Sequence, residues 1–165
     1  MSRRMRTGVT DVVVVGGGIV GAAAALGMSQ QGLSVQLVEK RRPETWDAAS
    51  TPDLRVYAIS PASQSLLERV GVWSTIQSRR VQAYRHMEVW DAVAGGPMRL
   101  SAADAGRTEL GHIVESRLIL DALWIALEAS TVRIRLGVSA DHLADDRGAA
   151  HARLTLSDGE TIDTR

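Results

Sequence analysis

Between Val12 and Val38 the chain carries no charged side chain, and glycines stand at Gly16, Gly18 and Gly21 within that run. Such a stretch can cross a membrane, or fold as a buried strand and helix around a phosphate. The start "MSRRMR" resembles the basic end of an export signal, and Arg3-Arg4 a twin-arginine address. Three features oppose that reading. Asp11 interrupts the approach to the apolar run, Gly16-Gly17-Gly18 would break an apolar helix in its first turns, and Ser29-Gln30-Gln31 ends the run early. What remains is shorter than the span of about 20 apolar residues a membrane helix needs.

The glycines divide the segment into three parts. "DVVVV" is β-branched, as expected of a parallel strand buried on both faces. "IVGAAAALGMSQQ" is helical and stops at Gly32, and "LSVQLVE" forms a second strand. The order strand, turn, helix, turn, strand is a βαβ unit. At its first junction the spacing Gly16-x-Gly18-x-x-Gly21 suits a pyrophosphate. Gly16 permits the sharp turn, Gly18 lets main-chain N–H groups approach the ligand, and Gly21 lets helix and strand pack closely. Ala22 to Ala25 continue that close packing. The helix start presents unpaired N–H groups and the positive end of its dipole. Glu39 ends the second strand, 18 residues after Gly21, where a carboxylate accepts from ribose hydroxyls. It would repel a 2′-phosphate, which argues against NADP in this turn. FAD and NAD both use this device.

Other chemistries find little support. The 19 basic and 19 acidic residues balance, so no electrostatic case exists for nucleic acid. Eighteen of the basic residues are Arg and the remaining one is Lys40. Without Cys there is no disulfide, thiolate metal site or Cys nucleophile. His86, His112, His142 and His151 lie too far apart to place two imidazoles on one helix face.

Beyond a polar loop, "DLRVYAI" reads as extended, and "SPASQSLLERVGVWSTI" as helical, capped by Ser60, with Pro61 at its first position and Gly71 ending the helix. Leu66, Leu67 and Val70 form its expected buried stripe. "YRHMEVWD" and "MRLSA" flank "AVAGGP" as a hairpin, and "GHIVE" is a further strand. "SRLILDALWIALEAS" is amphipathic through Leu120, Leu123, Trp124 and Leu127, with Ser116 able to cap it. "VRIRLGVSA" and "ARLTLSDGETID" alternate, and Ser157-Asp158-Gly159-Glu160 forms a hairpin turn, so an antiparallel meander is expected beside the parallel sheet. Trp46, Trp73, Trp90 and Trp124 are expected mainly as packing residues.

"DVVVVGGGIVGAAAALGMSQQGLSVQLVEK", "DLRVYAISPASQSLLERVGVW" and "LGHIVESRLILDALWIAL" occur in an order that resembles the FAD-dependent aromatic hydroxylases, in their ubiquinone-biosynthesis branch, the 2-polyprenyl-phenol hydroxylases. The resemblance implies an α/β fold: a Rossmann-like FAD-binding βαβ unit with a parallel sheet and an antiparallel β-meander. It places Gly16, Gly18 and Gly21 at the pyrophosphate and Glu39 at the ribose, with Lys40 beside it. It places Arg55 near the flavin and Arg117 against FAD, where a guanidinium fork suits a pyrophosphate or ribityl chain. It implies FAD as cofactor, NAD(P)H as reductant and O2 as oxidant, acting on an aromatic polyprenyl phenol or quinol. It also implies a cytoplasmic protein whose polyprenyl substrate draws the full enzyme to the inner-membrane surface. Residues 1–10 are expected as a disordered basic tail. Residues 11–165 are expected as a partial FAD-binding domain with the start of the substrate-domain strands. Relative to the family the fold is expected to be incomplete, because Asp158-Gly159 lies in a hairpin and does not replace the later Asp-Gly motif. The isolated chain is therefore expected to bind FAD weakly, to lack activity, and to self-associate through an open sheet edge. The alternatives are an inactive nucleotide-binding fragment or another FAD-dependent oxidoreductase, such as an amine or hydroxy-acid oxidase.

Overall fold

The computed structural model describes residues 9–91, 95–144 and 151–165. It divides into two compact units, Met1–Pro43 with Leu123–Arg165, and Glu44–Ala122. The expected disorder of the basic tail, and Arg3-Arg4, fall on residues 1–8, outside the described residues. Thr10, assigned to that tail, is buried and bridges Thr164.

In the first unit β1 (Val12–Val15), α1 (Ile19–Gln30) and β2 (Val35–Glu39) form the expected βαβ unit, with β1 and β2 parallel from Val12↔Val35 to Val15↔Val38. Asp11 fastens its open end: its carboxylate accepts from the Ser34 N–H at 2.9 Å and from the Ser34 hydroxyl at 2.6 Å. Ala22, Ala23, Ala25 and Leu26 of α1 are buried. Three of the four are alanines, and a larger side chain there would cost about 1–3 kcal/mol of overpacking.

The valines of β1 are not buried on both faces. Val12, Val13 and Val14 are half-buried and Val15 is 57% exposed. The sheet order is β1-β2-β8, with β8 at Arg133–Leu136. β2 therefore takes the central place, with Val35, Leu37 and Val38 buried, each contributing about 1.5–3 kcal/mol.

The same arrangement corrects the reading of "VRIRLGVSA" as part of an antiparallel meander. Its first half is β8, parallel to β2 from Gln36↔Arg133 to Glu39↔Leu136. Gly137, at φ +84°, turns the chain away, and the meander is β9 (Ala140–Ala144), β10 (Ala152–Leu156) and β11 (Thr161–Thr164). The order is β11-β10-β9, and the expected hairpin turn at Ser157–Glu160 joins the last two strands. Val38, Val138, Leu154 and Leu156 join the two sheets in one apolar cluster, with Val13, Ala140 and Ile162 packed on it.

The second unit holds the antiparallel sheet β3-β7-β4, made of β3 (Val56–Ile59), β4 (Val81–Tyr84) and β7 (Gly111–Glu115). β5 (His86–Val89) and β6 (Met98–Ser101) pair as the expected hairpin, although Ala92 to Ala94 of its turn lie outside the described residues. Helix α2 (Pro61–Arg69) starts as expected, the Ser60 hydroxyl accepting from the Ser63 N–H at 3.2 Å. Leu67 and Val70 are buried, but Leu66 is exposed and leaves the expected stripe. After Gly71 the chain re-enters a helix, α3 (Trp73–Gln77), whose Trp73 and Ile76 are buried. Helix α4 (Ser116–Glu128) follows β7 directly, and the division between units falls within it. Leu123, Trp124 and Leu127 are buried as expected, Leu120 only in part.

Candidate dinucleotide-binding turn

The turn between β1 and α1 is built by leaving side chains out. Gly16 has φ +97°, a conformation that other residues adopt only under strain. A Cβ on Gly21 would run into the carbonyl oxygen of Gly16, so the first helical turn can sit this close only with glycine. Gly18 is the N-cap of α1, with φ −68° and ψ −179°, and no side chain caps it. A Cβ on Gly18 would meet nothing within 4 Å. The three family-type glycines therefore separate by physical role. Gly16 supplies the bend, Gly21 the close packing, and Gly18 an uncovered start to a helix whose first N–H groups have no partner within it.

Glu39 closes the turn from the neighbouring strand. Its carboxylate accepts from the Gly17 N–H at 2.6 Å and from the Arg41 N–H at 3.2 Å. Burial pushes its carboxyl up, but the N–H groups of Gly17, Arg41 and Lys40 outweigh that and hold it below the ordinary glutamate range. Glu39 is thus ionised and an acceptor at neutral pH, as a ribose hydroxyl requires. Lys40 is exposed beside it, and its charge also favours the carboxylate form.

Two residues of this turn escaped the sequence reading. The carbonyl of Gly17 accepts from the Trp124 indole N–H at 2.7 Å. A Cβ on Gly17 would lie 2.6 Å from Trp124 Cζ2. Gly17 is therefore held on both sides, by Glu39 and by a side chain 107 positions away in sequence. Only the unusual third consecutive glycine could have hinted at it.

Arg55 and Arg117 form a separate group in the second unit. Asp53 ties them together through the main chain, accepting from the Arg55 N–H at 3.0 Å and the Arg117 N–H at 3.3 Å. These hydrogen bonds, the Arg55 one foremost, hold its carboxyl below the ordinary aspartate range. Asp53 also caps the start of α4 in the place expected for Ser116, which is itself the first helical residue. The Asp53 N–H donates to Glu115, which pairs with Arg80 at 3.1 Å. Arg117 reaches Glu44 only at 3.7 Å, and both side chains are well exposed. Arg55 is exposed as well.

Other features of the described residues offer no competing centre. No group of three or more His, Cys, Asp or Glu side chains could hold a metal among them. No helix among them is long and apolar enough to cross a membrane.

Comparison with known proteins fits this geometry. Residues 11–52, which hold the turn, Glu39 and Lys40, match the FAD dependent oxidoreductase family. The chain is 40% identical over 156 residues to 3-demethoxyubiquinol 3-hydroxylase of Escherichia coli K12, covering 93% of this chain and 39% of that protein. It is 33% identical over 172 residues to the human mitochondrial ubiquinone biosynthesis monooxygenase COQ6, covering 95% of this chain and 36% of that protein. The chain thus spans well under half the length of the curated relatives it matches. Among solved structures, the flavin-dependent monooxygenase PieE in complex with FAD and substrate superposes with a TM-score of 0.70 at 19% identity, over 97% of this chain and 30% of that one. That likeness concerns the fold, a mixed α/β arrangement of parallel and antiparallel sheets. In sequence the chain is similar, over more than nine-tenths of its length, to proteins named as ubiquinone-biosynthesis hydroxylases, and its residues 11–52 match the FAD dependent oxidoreductase family.

Proposed function

We propose that this chain provides the FAD-binding part of a flavin-dependent monooxygenase that hydroxylates a polyprenyl phenol or quinol in ubiquinone biosynthesis, with NAD(P)H as reductant. The observation that carries the proposal is the open glycine turn with Glu39 at the end of the adjacent strand. The N–H groups at the start of α1 hold the pyrophosphate, and the dipole of α1 adds to their pull. Glu39 holds the ribose hydroxyls and keeps a 2′-phosphate out of this turn. Arg55 and Arg117, spaced by Asp53, offer guanidinium groups to the cofactor's phosphates or ribityl hydroxyls. FAD, when bound, supplies the redox and oxygen chemistry, and the protein supplies position and electrostatics. The relatives support the substrate class, since one is named as a hydroxylase of a demethoxyubiquinol and the other as a monooxygenase of ubiquinone biosynthesis. The polyprenyl tail of such a substrate would bring the whole enzyme to a membrane surface.

Titration with FAD, followed by quenching of flavin fluorescence, tests the site. Saturable binding is expected, and Glu39→Ala should weaken it by about 1–3 kcal/mol, the cost of unpaired hydroxyl contacts. A titration curve unchanged by Glu39→Ala removes Glu39 from the site. NAD(P)H-driven oxygen uptake stimulated by a polyprenyl phenol, measured on a full-length enzyme that contains this chain, tests the reaction class. Oxidation of an amine or 2-hydroxy acid instead would move the chain to another group of FAD oxidoreductases.

A further inference from the structure

We infer that Trp124 is the positioning residue of the glycine turn, and that it sets the direction in which Gly18 presents its N–H to a diphosphate. The inference deepens the FAD-binding reading and rests on it for the identity of the ligand. Its geometry stands on three observations. The Trp124 indole is buried, and its N–H donates to the Gly17 carbonyl at 2.7 Å. The indole also packs on the Gly17 Cα so closely that a Cβ would lie 2.6 Å from Cζ2. The Gly17 N–H is held from the other side by Glu39 at 2.6 Å.

The consequence follows from the planarity of the peptide group. The Gly17 carbonyl and the Gly18 N–H belong to one trans peptide, so they point in opposite directions. Fixing the carbonyl toward Trp124 fixes the Gly18 N–H away from it. The Gly18 Cα itself is uncrowded, with nothing within 4 Å of a Cβ built on it. Glycine peptides flip readily because both signs of φ are accessible to them. Three glycines in succession would otherwise leave the anion-binding peptide to sample several directions, and ordering it would subtract from affinity. Trp124 removes that cost before the ligand arrives.

Trp124→Phe tests this, because it keeps a packing ring and removes the donor. FAD affinity should fall about ten-fold. The backbone order parameter of Gly18, measured by NMR on the free full chain, should fall from about 0.85 toward 0.6, while β2 stays rigid. A variant with the parent's affinity and the parent's order parameter overturns the inference. The NMR arm needs no FAD, so the two ideas fail separately. A parent chain that binds no FAD, with Gly18 loosened in the variant, removes the flavin reading and keeps the role of Trp124. FAD binding that is indistinguishable in the two proteins, with Gly18 unchanged, does the reverse. The parent chain alone gives a further check should the variant not fold. Its Trp124 indole N–H should exchange with solvent far more slowly than that of Trp90, which is 73% exposed. Equal exchange at the two indoles overturns the inference.

Discussion

The two units of this chain hold their candidate ligand groups by opposite means. In the first unit the working parts are main-chain N–H groups at a turn that Gly16 bends, Gly21 packs and Gly18 leaves uncovered. In the second unit they are the guanidiniums of Arg55 and Arg117, set by Asp53 through the backbone. The second unit also buries two carboxylates that are paired with arginines. Arg79 pairs with buried Asp121 at 2.7 Å, Arg80 with buried Glu115, and both guanidiniums lie within about 5 Å of the Trp46 ring. A site made of backbone is rigid at little electrostatic cost. A site made of charges needs further charges to keep it in place.

Four experiments can break or sharpen that contrast, taken from the largest expected effect to the smallest. Arg79→Ala leaves the Asp121 carboxylate, 2% exposed, without its cation. Urea unfolding should show a loss of about 3–5 kcal/mol. A loss below 1 kcal/mol would mean that the second unit does not depend on this network. Gly21→Ala drives a methyl into the Gly16 carbonyl, and should cost about 2–3 kcal/mol of stability along with FAD binding. Full FAD affinity in that variant would refute the idea of a site built from missing side chains.

Glu39→Gln should have a smaller effect, about 1 kcal/mol in FAD affinity. It should also flatten the acid dependence of binding. The folded chain holds the Glu39 carboxyl below its ordinary range, so its contribution to stability is complete at neutral pH. That contribution is lost as pH falls through the lowered value. An acid profile that is the same in Glu39→Gln and the parent would assign the effect to other carboxylates. Arg42→Ala removes the exposed pair with Glu128, seen at 2.6 Å and 3.0 Å, and should change stability by less than about 1 kcal/mol. A larger loss would mean that exposed ion pairs support the first unit as buried ones support the second.

Local pattern carried the first unit a long way. The change from "VVVV" to "GGG" to an alanine-rich helix predicts β1, α1 and β2 to within two residues at every end, since each transition is a change of period. The place of Glu39 at the end of β2 was legible too, because the charge that ends an apolar strand is visible in the sequence. The same pattern misplaced Val15 and Leu66. Apolar residues are compatible with burial, and which of them gain a covering neighbour depends on elements distant in sequence. β8 shows the point in backbone form. "RIRL" alternates as an antiparallel strand would, yet it pairs parallel with β2, because a strand's partner is chosen by topology.

The sequence by itself determined where the chain bends, where a glycine leaves the main chain uncovered, and where the acid beside it falls. Those properties reside in glycine's missing side chain and in the pitch of a strand and a helix, all local quantities. Only the tertiary structure decided that β2 is central, that Asp53 joins Arg55 to Arg117, and that Trp124 holds Gly17. Each of those joins residues tens of positions or more apart, or depends on strands that far apart. Hydrogen bonds act over about 3 Å, and no local pattern records which distant donor the folded chain will bring within that reach.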